Sequence, residues 1–266
     1  VRLALGVEYD GSGYRGWQSQ RGGGTIQDAL EAALTTLADR PIRVHCAGRT
    51  DTGVHALAQV VHFDTDADRP DSAWVRGTNA RLPADISITW AARVSDDFHA
   101  RFGARARRYC YLIFNRPVRP ALLAGRVGWF HLPLDEARMA EAATALVGEH
   151  DFSAFRAAEC QAKSPVRTLE SITIERRGEL IAIHLSANAF LHHMVRNIVG
   201  ALVFVGNGRR PNDWLGELLA GRDRRLAAPT FAAAGLYFAG VDYGPGWQLP
   251  AGGRIMVPHP WFREYP

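Results

Sequence analysis

One carboxylate in this chain is set up for chemistry. The run Gly48-Arg49-Thr50-Asp51-Thr52-Gly53-Val54-His55-Ala56 places Asp51 between two glycines, with an arginine two residues upstream. Glycine on either side lets the backbone turn tightly and come close to a ligand. A neighbouring guanidinium can hold a carboxylate ionised and orient it. A carboxylate held in this way can attack carbon, accept a proton or bind a metal. The same pattern also suits an aspartate that caps a turn beside a surface arginine.

Periodicity predicts the elements that must hold this loop. Ile42, Val44 and Cys46 share one side of a strand before it, and an apolar strand over 59–63 follows. Leu3, Leu5, Val7 and Tyr9 alternate on an opening strand over 2–9, which runs into a glycine-rich loop over 10–18. Thr25 caps a helix whose apolar stripe is Ile26, Ala29, Leu30, Ala33, Leu34 and Leu37, closed by Pro41. A helix over 73–81, stopped by Pro83, precedes a strand through Ile86, Ile88 and Trp90. The stretch 107–114 alternates as a strand, with Arg107, Tyr109, Tyr111 and Ile113 on one face.

Residues 115–121, with Pro117 and Pro120, read as a connector. Beyond it come a helix over 135–148, strands over 171–176 and 180–187, and a long helix over 190–205 carrying His192 and His193. A shorter helix follows Pro211, and a strand over 236–243 closes the pattern. Strands and helices mixed in this order predict an α+β fold with a largely antiparallel sheet and helices packed on one side. Two similar α/β halves are expected, 1–116 and 117–243, followed by an irregular extension over 244–266.

Composition narrows the function. With 47% hydrophobic and 22% charged residues, the 266-residue chain is an ordinary globular protein. The longest apolar stretch is broken by His192, His193, Arg196 and Asn197, so no membrane span is expected. Cys46, Cys110 and Cys160 are widely spaced and lack a CxxC pair, which fits a reducing, cytoplasmic setting. The sequence opens without a basic-then-apolar leader, so a secretory signal is not expected. Thirty of the thirty-one basic residues are arginine, Lys163 being the exception, which base composition of the gene explains. Clustering says more. Arg101, Arg105, Arg107 and Arg108 crowd a stretch interleaved with Phe98, Phe102, Tyr109 and Tyr111, the charge and aromatic faces of a nucleic-acid groove.

Familiar cofactor chemistries find no motif. The glycine-rich loop lacks the Gly-Lys-Ser/Thr of a phosphate loop and the spacing of a dinucleotide fingerprint. The ten histidines include no HExxH pair, and no GxSxG elbow is present, so neither a metal nor a cofactor is expected.

Several segments resemble the tRNA pseudouridine synthases of the TruA type. They are Tyr9-Asp10-Gly11-Ser12 with Gly16-Trp17-Gln18, the run from Gly48 to Ala56, Phe98-His99-Ala100-Arg101-Phe102, Arg107-Arg108-Tyr109, His192-His193-Met194-Val195-Arg196-Asn197 and Gly235-Leu236-Tyr237. They occur in the family's order, from the first strand to about residue 243. Thr52 stands where the family commonly has alanine, and the tail after Gly244 has no counterpart.

The resemblance implies isomerisation of uridine to pseudouridine at positions 38 to 40 of the tRNA anticodon stem-loop, without cofactor. It implies two halves flanking a central cleft and a homodimer that binds tRNA. Asp51 would be the nucleophile, acting after the target base is flipped out. Arg49 would pair with Asp51 and hold the extruded nucleotide. Tyr109 would stack on the base or assist proton removal, Arg196 would line the cleft, and Leu236 would pack beneath the base. His99, Arg101, Arg107 and Lys163 fall in segments implied to contact RNA. Two other readings use the same residues: a non-catalytic RNA-binding protein, and a glycosidase, which would need a second carboxylate.

Overall fold

A computed structural model describes residues 1–247 and 249–250. The extension expected over 244–266 therefore lies mostly outside the described residues. The fold is α+β, with a largely antiparallel, open sheet and flanking helices. Contacts divide the chain at Arg105 and again at Leu236, giving one unit of Val1–Arg105 with the chain from Tyr237, and a second of Ala106–Leu236. The sequence pattern put the division at 116/117. Two pairings account for the difference. The strand starting at Ala106 pairs along its length within the second unit, and the strand entered at Leu236 pairs within the first.

In the first unit, β1 (Arg2–Tyr9) leads to α1 (Ile26–Ala38), β2 (His45–Cys46), β3 (His55–Asp64), α2 (Asp71–Asn79) and β4 (Ile86–Val94). β1 lies between β3 and β4, antiparallel to both. Its central place explains why Ala4 is buried as well as the alternating Leu3, Leu5 and Val7. The other face needs small residues, because a Cβ on Gly6 would sit 2.1 Å from the Trp90 indole nitrogen. α2 packs on β4 and α1 on α2, with the Trp74 ring edge-on to Phe63 of β3 at 5.4 Å. The apolar stripe of α1 is buried at Ile26, Leu30, Ala33, Leu34 and Leu37, while Ala29 is half-buried.

The cap of α1 is closed on both sides. Thr25 Oγ1 accepts the Asp28 N–H at 3.2 Å and donates to Asp28 Oδ2 at 2.6 Å. Thr25→Ala should therefore destabilise the protein by about 1 kcal/mol, read as a lowered urea midpoint with unchanged slope.

The second unit holds β5 (Ala106–Asn115), β6 (Gly128–Phe130), α3 (Glu136–Ala143), β7 (Gly148–Asp151), β8 (Val166–Arg177), β9 (Leu180–Ala187), α4 (Met194–Gly206) and α5 (Trp214–Gly221). Strands β5, β9, β8 and β7 follow one another antiparallel, and β6 runs parallel beside β5. The last strand, β10 (Leu236–Asp242), runs parallel to β3 of the first unit. No helix among the described residues is long and apolar enough to cross a membrane.

Two helices are shorter than their sequence patterns. The helix expected over 135–148 stops at Ala143 and becomes a single 3-10 turn. Gly148, at φ 112°, then opens β7. The helix expected over 190–205 begins only at Met194, so His192 and His193 precede it. The His192 carbonyl accepts the Ala157 N–H at 3.0 Å, and His193 takes a left-handed φ of 61°. Tertiary hydrogen bonding has overridden an apolar run that continues across the boundary.

Candidate functional site

The Gly48–His55 loop joins β2 to β3, and buried groups fix it at several points. Gln59, fully buried on β3, donates from Nε2 to the Gly48 carbonyl at 2.6 Å. Its Oε1 accepts the Gly48 N–H at 3.4 Å and the Val60 N–H at 3.3 Å. A side chain at 48 is excluded, since a Cβ there would lie 2.9 Å from the Phe238 ring of β10. Thr50 is buried, its hydroxyl 2.7 Å from the Tyr9 hydroxyl, and its carbonyl accepts the Trp17 N–H at 2.9 Å. The Val54 N–H returns to the Asp51 carbonyl at 3.1 Å, and Gly53 takes φ 78° to allow it. Asp51 emerges from this turn half-buried.

The glycine-rich loop over 10–18 is the backing of that turn. Gly16, at φ 83°, packs so closely that a Cβ would sit 2.9 Å from the Thr50 carbonyl oxygen and 3.1 Å from the Asp51 carbonyl carbon. A Cβ on Gly11 would fall 2.0 Å from the Val54 carbonyl oxygen. His55, buried, brings Nδ1 to 3.1 Å from both the Gly11 N–H and Asp10 Oδ1, and its ring stacks on Tyr237 at 4.7 Å. The backbone around Asp51 is thus set by residues from β1, the 10–18 loop, β3 and β10. A carboxylate fixed at its backbone and open on one side can attack carbon or accept a proton without reorganising its surroundings.

Arg49, next but one to Asp51, is exposed. The backbone bonds at Gly48 and Thr50 leave residue 49 outside the packed layer, so its side chain points to solvent. Nearby, burial pushes the Cys46 thiol up to about 12, against the pull of Arg49.

Among the other expected RNA contacts of the first unit, His99 is half-buried and Arg101 exposed. Arg101 lies over the ring of Phe102, its Cζ 5.4 Å from the centroid, and Phe102 is 75% exposed. His99 Nδ1 accepts the N–H groups of Arg101 and Phe102 at 3.1 and 3.2 Å, which forms the turn that presents both.

In the second unit, Tyr109 sits mid-strand on β5, buried, with its ring edge-on to Phe190 at 4.9 Å. Arg196, on the first turn of α4, donates from Nε to the Phe231 carbonyl at 2.8 Å, and its own carbonyl accepts the Phe231 N–H. This anchors the segment leading to Leu236, which is buried. Arg107 donates to the Asn188 carbonyl at 2.9 Å, and Lys163 is exposed. Burial keeps the Tyr111 phenol protonated far above its usual range, and its hydroxyl donates to the Ala232 carbonyl at 2.6 Å.

Tyr9, Gly16, Thr50, His55 and Gln59 carry the Asp51 turn, and none of them stands out by residue type alone. The short segments Tyr9 to Ser12, Gly16 to Gln18 and Gly48 to Ala56 are the signal that contains four of them.

A sequence profile of the family described as tRNA pseudouridine synthase matches residues 6–103 and 142–244. The chain is 62% identical over 257 residues to tRNA pseudouridine synthase A of Aromatoleum aromaticum, covering 97% of each chain. It is 58% identical to tRNA pseudouridine synthase A of Dechloromonas aromatica, over 94% of this chain and 95% of the relative. Against the protein of that name in Herminiimonas arsenicoxydans it is 57% identical, over 94% and 92%.

Proposed function

The chain belongs to the tRNA pseudouridine synthase family, and we propose that it converts uridine to pseudouridine at positions 38 to 40 of the tRNA anticodon stem-loop. The observation that carries this reading is the braced Asp51 turn, whose supporting residues from Tyr9 to Gln59 lie inside the matched segment. In the isomerisation the N1–C1′ bond breaks and a C5–C1′ bond forms. C5 loses a proton and N1 gains one, so no oxidant, reductant or group donor is consumed.

Asp51 acts as the nucleophile, toward C6 of the base or C1′ of the sugar. A stacked uridine cannot meet a carboxylate, so it is flipped out first, at a cost of a few kcal/mol. Exposed Arg49 pairs with Asp51 and helps hold the extruded nucleotide. Tyr109 stacks on the base or assists removal of the C5 proton, Arg196 holds the substrate, and Leu236 packs against the base. His99, Arg101, Arg107 and Lys163 contact the RNA around it. The enzyme works as a homodimer in the cytoplasm. Three cysteines without a disulfide support that compartment.

Incubating the purified protein with unmodified tRNA and mapping pseudouridine tests the reading directly. Product at positions 38 to 40 is expected. Product elsewhere overturns the site claim, and RNA binding without product overturns the activity.

A further inference from the structure

Asn197 follows Arg196 on the first turn of α4 and is fully buried. A buried amide is costly unless it is hydrogen-bonded, so its partners show what it holds. Its Nδ2 donates to the Phe155 carbonyl at 2.8 Å, in the 3-10 turn Ser153–Phe155 after β7. Its Oδ1 accepts from Thr230 Oγ1 at 2.7 Å and from an Arg224 amino group at 3.0 Å. The same amino group donates to Thr230 Oγ1 at 3.1 Å, and the other donates to the Ala228 carbonyl at 2.8 Å. One amide thus joins α4 to the turn after β7 and to the segment 224–230.

The network leaves little slack. Burial pulls the Arg224 guanidinium below its usual range, and the oxygens of Asn197, Ala228 and Thr230 that accept from it are neutral. A half-buried cation held in this way is sensitive to the loss of a single acceptor. The segment also lies tight against the helix, since a Cβ on Gly200 would sit 2.4 Å from the Pro229 carbonyl oxygen.

The residue after Thr230 is the one that Arg196 grips. The Phe231 N–H donates to the Arg196 carbonyl at 3.2 Å, and the Phe231 carbonyl accepts Arg196 Nε at 2.8 Å. Nε and the two amino groups of a guanidinium share one plane, so the place of the Phe231 carbonyl decides how that plane is turned. A shift of Thr230 reaches this carbonyl through a single peptide unit.

We propose that Asn197, Arg224 and Thr230 are positioning residues for the reaction, which set the plane of the Arg196 guanidinium through Phe231. This rests on the proposed function, in which Arg196 holds the substrate.

The test follows single-turnover conversion of an unmodified anticodon stem-loop RNA by the full chain, over hours where it is slow, with urea midpoints measured on the same preparations. Thr230→Val keeps the shape of the side chain and removes the shared hydroxyl. It should lower the rate at saturating protein about tenfold, the effect of a misplacement under ~1 Å. Thr230→Ser restores the hydroxyl and should stay within about twofold of the parent. Arg224→Lys keeps the charge without the fork and should lose about as much as Thr230→Val, whose place it takes if the valine protein does not fold. The decisive comparison is made in Arg196→Lys, which has no Nε to donate to Phe231. There Thr230→Val should change the remaining rate by about twofold or less, because residues that act through one another do not add. An equal loss in both backgrounds would show a merely structural role and overturns the proposal. A folded Thr230→Val protein within about twofold of the parent overturns it as well. Pseudouridine formed by the parent alongside either result discards only the positioning role, whereas no product from the parent discards the functional reading and the positioning role with it.

Discussion

Asp51→Asn is expected to lower pseudouridine formation by about 10⁴-fold or more, while RNA affinity stays within about threefold of the parent. Asparagine fills the same space, so the turn held by Gln59, Thr50 and Gly16 has no reason to move. What it loses is the negative oxygen that would attack carbon. A loss of this size corresponds to about 5.5 kcal/mol of barrier, the scale of a missing nucleophile and not of a weakened contact. Single-turnover assays on unmodified tRNA, with Kd measured on the same preparation, separate the two quantities. Activity within tenfold of the parent would show that Asp51 is not the attacking group. A parallel fall in affinity would show that its role is to bind.

Gly16→Ala should come next in size. The new methyl must enter a space where the Thr50 carbonyl oxygen would be 2.9 Å away, at a φ of 83° that alanine adopts only at a cost of about 1–2 kcal/mol. Backbone cannot yield as a flexible side chain would, so the 50–52 segment must shift and Asp51 with it. A displacement of the reacting group by ~1 Å is enough to cost about 100-fold in rate. The expected result is a 10- to 100-fold lower kcat with RNA affinity nearly unchanged. Gly13 supplies the control from the same loop. A Cβ there meets nothing within 4 Å, so Gly13→Ala should leave kcat within about twofold. Equal effects at the two glycines would mean that the loop acts through flexibility and not through contact with the Asp51 turn.

The reactive loop is readable in the sequence because its signal is local: two glycines and a carboxylate within six residues. The stripe of α1 and the alternation along β1, β5 and β9 are readable for the same reason, since each periodicity lies within one element. What holds the loop is not local. Tyr9 reaches Thr50 across 41 positions, and β10 joins β3 from the far end of the described chain. No periodicity encodes such a pairing. His192 and His193 are misread as helical because Phe190 and Leu191 continue the apolar run of α4 backwards. The bond from Ala157 to the His192 carbonyl and the left-handed backbone of His193 mark where it ends.

The parallel pairing of β10 with β3 has a consequence in time. The ribosome completes the Gly48–His55 loop long before it makes Phe238, which packs on Gly48, and Tyr237, which stacks on His55. At ~5–20 residues per second, the wait is on the order of ten seconds or more. During that interval β3 lacks one of its neighbours and the Asp51 turn lacks part of its wall. An unfinished chain can therefore fold much of its first unit yet carry no assembled reactive centre. If Asp51 is the nucleophile proposed above, it becomes competent only when the last strand arrives, and the order of synthesis then guards against premature encounters with RNA.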